Sequence, residues 1–148
     1  MSYSLKELSD RQEIVDLIID YAQAIDQQKF DALDGLFTAD AFIDFTAMGG
    51  PKGSFAEVKS FLQETLPAFK EYFHLNSNIR IHLNGDTAYA RVMCFNPMGI
   101  PQPDAKPHVM YLGLFYLDKY IRTKQGWRIT ERIEEKAWTD NVPDYVGM

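Results

Sequence analysis

From His74 onward the chain alternates with a period of two over Leu75 to Leu83, Thr87 to Asn96, His108 to Thr123 and Trp127 to Trp138. No other feature limits the fold so tightly, because such long alternation demands half-buried strands. Asn84-Gly85-Asp86 and Lys124-Gln125-Gly126 are tight-turn sequences, and strands joined by such turns run antiparallel. Ahead of them the spacing is helical. Ile14, Leu17, Ile18, Tyr21, Ala22 and Ile25 fill one arc of roughly 140° at about 100° per residue, while Asp16, Asp20, Gln23 and Gln27 take the opposite face. A helix of about 18 residues is expected, capped by Ser9 or Asp10 with Glu13 reaching back. Phe30 to Phe37 reads as a short helical turn and Ala41 to Phe45 as a first strand. Gly49 to Gly53 is a turn, and Ser54 with Glu57 caps a further helix that Pro67 bends or shortens. Three helices ahead of an antiparallel sheet cover one of its faces, so the fold class is α+β. At 148 residues and 46% hydrophobic composition, the chain is expected to form a single domain over residues 1–148.

Composition excludes several roles. A net charge of −6 without a basic patch argues against nucleic acid and anionic membranes as partners and favours a small apolar molecule. The ten Phe, eight Tyr and two Trp suit either a thick core or an apolar pocket. Cys94, within Val92 to Phe95, reads as a core residue and the chain can form no internal disulfide. Lys6, Glu7, Asp10, Arg11 and Glu13 stand where a signal peptide needs an apolar run, and no stretch reaches membrane-spanning length, so a cytoplasmic location is expected. The three histidines lack ligand spacing, so no metal or cofactor is expected. There is no Gly-x-Ser-x-Gly elbow and no phosphate-binding loop.

The residue that stands out is Asp26, beside the apolar arc of the first helix with Tyr21 inside it. A carboxylate turned inward is tolerated chiefly where it has a task; the alternative is that Asp26 ends a frayed helix and faces water. His74 either works with it or merely opens a strand. His108, at the far side of a segment holding Pro97, Pro101, Pro103 and Pro107, is a second candidate. That segment is extended, as a lid, an interface arm or an ordinary hairpin connection. The tail from Thr139 to Met148 either folds over a pocket mouth or hangs free. His82 is expected to be exposed. Strict alternation puts Arg132 on one face with Arg128 and Thr130, opposite Trp127, Ile129 and Ile133. There it is solvated, or else buried to hold a carboxylate or enolate.

In this order Asp10-Arg11, Tyr21 with Asp26, Phe30-Asp31-Ala32-Leu33 with Leu36-Phe37, and Ala41 to Phe45 resemble the SnoaL-like branch of the NTF2-like superfamily. Gly53 with Phe55 to Val58, His74 with Asn78, Gly85-Asp86-Thr87-Ala88, Gly113 with Tyr116 and Asp118, and Gly126-Trp127-Arg128-Ile129 continue the likeness over nearly the whole chain. The resemblance implies a cone-shaped α+β barrel, three N-terminal helices in the concavity of a strongly bent, mostly antiparallel sheet, commonly assembled as a homodimer or homotrimer. Tyr21, Asp26 and His74 match the positions used by cofactor-independent dehydratases such as scytalone dehydratase and bile acid 7α-dehydratase. Phe45 stands where scytalone dehydratase has a tyrosine, which leaves it a substrate-binding role beside His108 and Arg132. Ketosteroid isomerases place their acid near this strand, where Asp44 faces away from Ile43 and Phe45. The reaction implied is dehydration or isomerisation of a small cyclic hydroxy-carbonyl compound, steroid- or polyketide-like. His74 would be base and acid, Asp26 would fix its tautomer, and Tyr21 would polarise the carbonyl. The rivals are a non-catalytic binding or dimerisation domain and the small structural subunit of a ring-hydroxylating dioxygenase.

Overall fold

The computed structural model describes residues 2–148. Helix α1, Leu5–Asp26, begins a turn earlier than the capping signal at Ser9 or Asp10 implied. Ser4 is the N-cap: its hydroxyl accepts from the Glu7 amide at 3.1 Å and its own amide donates to the Glu7 carboxylate at 2.7 Å. Asp10 is thereby freed for another task, and it is the buried carboxylate of this helix. It accepts two hydrogen bonds from Arg122, at 2.6 and 2.8 Å, and one from the Trp127 indole at 3.2 Å. Arg122 holds the Asp10 carboxyl well below the usual carboxylate range, against the penalty of burial.

A 3₁₀ turn, Phe30–Gly35, leads to strand β1, Phe37–Asp44. The glycine-rich turn then forms a short edge strand, β2, Lys52–Ser54, unforeseen from sequence. Gly50 lies so close to Phe45, the residue that follows β1, that a Cβ there would come 2.7 Å from the Phe45 Cβ. Helix α2, Phe55–Thr65, carries the expected Ser54–Glu57 capping box and gives way to a 3₁₀ turn at Pro67, whose missing N–H ends the helical ladder. The remaining strands are β3, Glu71–Tyr72; β4, Leu75–Asn84; β5, Thr87–Ile100; β6, His108–Thr123; and β7, Gly126–Asp140.

The sheet order is β2-β1-β7-β6-β5-β3, with β4 also paired to β5. Only β1 with β7 is parallel; the rest of the ladder is antiparallel. The sheet is mixed and open, so it forms a cone-like wall rather than a closed barrel. Extra residues at Thr130 and Ala137 in β7, and a register shift between Ser77 and Arg80, interrupt the pairing; bulges of this kind bend a strand and raise its twist. The buried stripe of α1, Ile14, Ile18, Tyr21 and Ile25, meets Val92, Tyr116, Trp127 and Ile129 of the sheet. Of the three readings of the proline-rich segment the hairpin connection is the one present, because β5 runs on through Pro97 and only residues 101–107 join it to β6. Pro97 coincides along β5 with the gap between β3 and β4, and proline belongs at such interruptions. Among the described residues, no helix is long and apolar enough to cross a membrane.

Candidate active site

The gap between β3 and β4 leaves Phe73 and His74 outside the ladder, so their backbone groups need other partners. Asn96 of β5 donates to the Phe73 carbonyl at 2.8 Å. Asp26, the last residue of α1, accepts the His74 amide at 3.0 Å through one oxygen and meets the His74 Nδ1 at 2.6 Å through the other. The expected inward turn of Asp26 is therefore present, although its side chain is still 24% exposed and lies at the helix end. A carboxylate oxygen can only accept, so it selects the tautomer with the proton on Nδ1 and leaves a lone pair on Nε2. Tyr72 steadies the same corner by donating to the Ile25 carbonyl at 2.8 Å and standing edge-on to the His74 ring.

A cavity of about 130 Å³ opens beside this pair. Its polar lining is Tyr21, His74, Asn96, Tyr116 and Glu134; Phe45, Ile25, Leu62 and Leu112 are among the apolar remainder. Three of the expected residues, Tyr21, Phe45 and His74, thus share one wall-lined space, with Asp26 behind His74. Burial pushes the Tyr21 hydroxyl up, so it stays a proton donor over the working range.

His108 does not join them. It opens β6 opposite Ile100, and its Nε2 lies 2.7 Å from the Asn141 carbonyl. Asp44 is also elsewhere, accepting from the Thr46 amide at 2.9 Å and its hydroxyl at 2.5 Å. The expected face for Arg132 is corrected by the bulge: Lys119 pairs with Glu131 and Tyr120 with Ile129, so Thr130 is extra and the side chains that follow change sides. Arg132 is consequently fully buried and clamped by Asp118 through Nε at 2.8 Å and Nη2 at 2.7 Å. Its guanidinium lies 4.3 Å from the Tyr21 ring centre and 4.1 Å from that of Tyr116, and its Nη1 has no partner. It supports the tyrosines from behind the cavity wall rather than lining it.

The same bulge brings in Glu134, which sequence reading missed. Its Oε2 is sealed from solvent without a hydrogen-bond partner. Burial pushes its carboxyl up to about 8, with Arg132 drawing it down and Asp44 driving it up. The one hint in the sequence is Glu131, a charge where unbroken alternation from Trp127 and Ile129 requires an apolar side chain. Cys94 is buried, and burial raises its thiol to about 12, as a core residue should be. Among the described residues no group of three or more His, Cys, Asp or Glu side chains gathers as a metal site requires. A larger groove of about 650 Å³ lies where Tyr89, Arg91, Leu117 and Lys119 project from the sheet; the cavity beside Asp26 and His74 is the smaller but chemically equipped one.

The SnoaL-like domain profile matches residues 6–133. The chain belongs to the SnoaL-like family, and its fold is that of the NTF2-like superfamily. It is 44% identical over 135 residues to the uncharacterized protein Mb2934c of Mycobacterium bovis, covering 91% of this chain and 90% of that protein. Among solved structures, a candidate aromatic ring hydroxylase from Novosphingobium aromaticivorans superposes with a TM-score of 0.82 at 25% identity, over 94% of this chain and 97% of that one. The hexachlorocyclohexane dehydrochlorinase LinA-type3 from Novosphingobium barchaimii gives a TM-score of 0.79 at 15% identity, over 95% and 94% of the two chains.

Proposed function

We propose that the chain is a cofactor-independent elimination catalyst, a dehydratase-type lyase acting on a small cyclic hydroxy-carbonyl compound. The observation that carries this reading is the 2.6 Å contact of Asp26 with His74 Nδ1 at the edge of an apolar cavity. It leaves Nε2 free to remove the proton next to a carbonyl, and Tyr21 is on hand to hold the enolate oxygen. The dehydrochlorinase likeness supports an elimination on the same fold, without bearing on the substrate.

Cavity size narrows the substrate class. A cavity of about 150 Å³ takes a benzene ring, and drug-sized ligands occupy about 300 Å³ or more. At about 130 Å³, the space suits one six-membered ring rather than a steroid nucleus. The test is loss of water from 3-hydroxycyclohexanone, followed by the rising absorbance of the conjugated enone. Turnover that disappears in His74→Gln and Asp26→Asn, with melting retained, supports the proposal; wild-type protein that does not exceed the uncatalysed rate on this or other single-ring β-hydroxy ketones sinks it.

A second reading, an associating subunit without catalysis, draws on the outer-face stack of Phe95 with Tyr111 and Trp138, centroids 6.3 Å apart in each pair. Tyr111 and Trp138 are exposed. A homodimer or homotrimer built through this face is compatible with either reading.

A further inference from the structure

Elimination of water needs two proton transfers, and the dyad supplies the first. When His74 takes the α-proton, the departing hydroxyl still has to leave as water rather than hydroxide, and an acid on the opposite side of the substrate does this without the imidazole changing position. Tyr21 is a weak candidate for that step, since burial makes its phenol a poorer acid. Glu134 is differently placed. Along the sheet His74 stands at the β4 edge of β5, whereas Glu134 is on β7 opposite Tyr116 of β6. At about 4.8 Å per strand the two are three spacings apart along the sheet, so they come to the cavity from separate strands. Both line it.

We propose that Glu134 is a second catalytic residue of this site, the general acid that protonates the leaving oxygen. The inference rests on the elimination reading above. In the step, the Cα–H bond breaks and its proton goes to His74 Nε2. The Cα–H electrons form the Cα=Cβ bond, the Cβ–O bond breaks, and the Glu134 proton joins the departing oxygen to give water. His74 is left protonated and Glu134 ionised, and one proton passed from the first to the second through water restores both.

Three observations support the assignment. Oε2 is buried and has no protein partner, an unmet polar group of the kind that calls for a functional explanation. No ion pair within 4.0 Å joins Glu134 to Arg132, whose charge is already taken up by Asp118 at 2.7 Å, so the carboxyl is not consumed in a salt bridge. The groups that face it are Arg132 on its own strand, Asp44 on β1, Tyr21 on α1, Cys94 on β5 and Tyr116 on β6. Of these, burial and Asp44 favour the protonated form and Arg132 opposes it, so the carboxyl keeps its proton at neutral pH. It can then donate.

The test compares two leaving groups. Hydroxide from 3-hydroxycyclohexanone needs an acid; chloride from 3-chlorocyclohexanone does not. Glu134→Gln is expected to slow water loss by about 10²- to 10⁴-fold and to leave background-corrected chloride loss within a few-fold of wild type. His74→Gln is expected to lose both. Equal loss of both reactions in Glu134→Gln, or of neither, overturns the assignment while leaving the dyad intact. Loss of neither in His74→Gln overturns the elimination reading instead. Should the wild type act on neither probe, the elimination reading fails and the assignment of Glu134 as its acid is overturned with it.

Discussion

Asp26 engages His74 through both oxygens, one on the backbone amide and one on Nδ1, so its replacement has separable effects. An asparagine in its place could still accept the amide through its carbonyl, but its NH₂ would then face Nδ1 and force the proton onto Nε2, removing the base without removing the anchor. Asp26→Asn is therefore expected to melt within a few degrees of wild type while losing turnover by at least about 10²-fold; differential scanning fluorimetry beside the enone assay checks both. Glu134 gives a pH signature of its own. Its folded value, about 8, lies above the ordinary 4.5, so the native state binds more protons than the unfolded chain between these limits and this group's contribution to stability falls as pH rises through that window. Below it there is no difference. Glu134→Gln should flatten the fall in melting temperature between pH 5 and 8 and melt above wild type at pH 8; an unchanged slope contradicts the account. Arg132 and Asp118 are both fully buried, and breaking one member strands the other's charge. Arg132→Met should cost about 3–5 kcal/mol in urea denaturation, with part of it recovered when Asp118→Leu is added.

At the level of elements, the legible and illegible parts of the sequence separate by physical cause. Helical spacing from Ile14 to Ile25, the Ser54–Glu57 box and the alternation of the long strands are local signals, and the corresponding elements form where those signals place them. Asp10 misleads because a good capping residue is needed elsewhere, on Arg122 and Trp127, which lie more than a hundred residues away. The β7 bulge is nearly illegible for a related reason: apart from the misplaced charge of Glu131, nothing local records that Thr130 has no partner on β6, yet the face of Arg132 and Glu134 depends on it. Tyr21, Asp26 and His74 are readable from helix phase and from resemblance; Asn96 and Glu134 require the fold. Deleting Thr130 should restore regular pairing and keep both charged residues inward, because Arg132 and Glu134 already lie opposite Asp118 and Tyr116. The expected outcome is retention of turnover and of Glu134's titration near pH 8, and loss of either would contradict this register.

For the whole molecule, the open sheet separates two surfaces. The concave side holds a cavity of about 130 Å³ lined by Tyr21, His74 and Glu134, and the other side carries the broader groove and the Phe95, Tyr111 and Trp138 stack. Size selection belongs to the first: single-ring ketones should raise the melting temperature, while tetracyclic ketones should leave it unchanged. Assembly belongs to the second: Trp138→Lys should lower the mass measured by light scattering if copies pair through that stack. The central claim is that Asp26 makes His74 a base toward a carbon acid, and it can be tested without knowing the leaving group. Cyclohexanone in D₂O, followed by ¹H NMR, reports exchange of its α-protons. The account predicts exchange above the buffer rate with wild-type protein and none above it with His74→Gln or Asp26→Asn; equal exchange in all three proteins would contradict it.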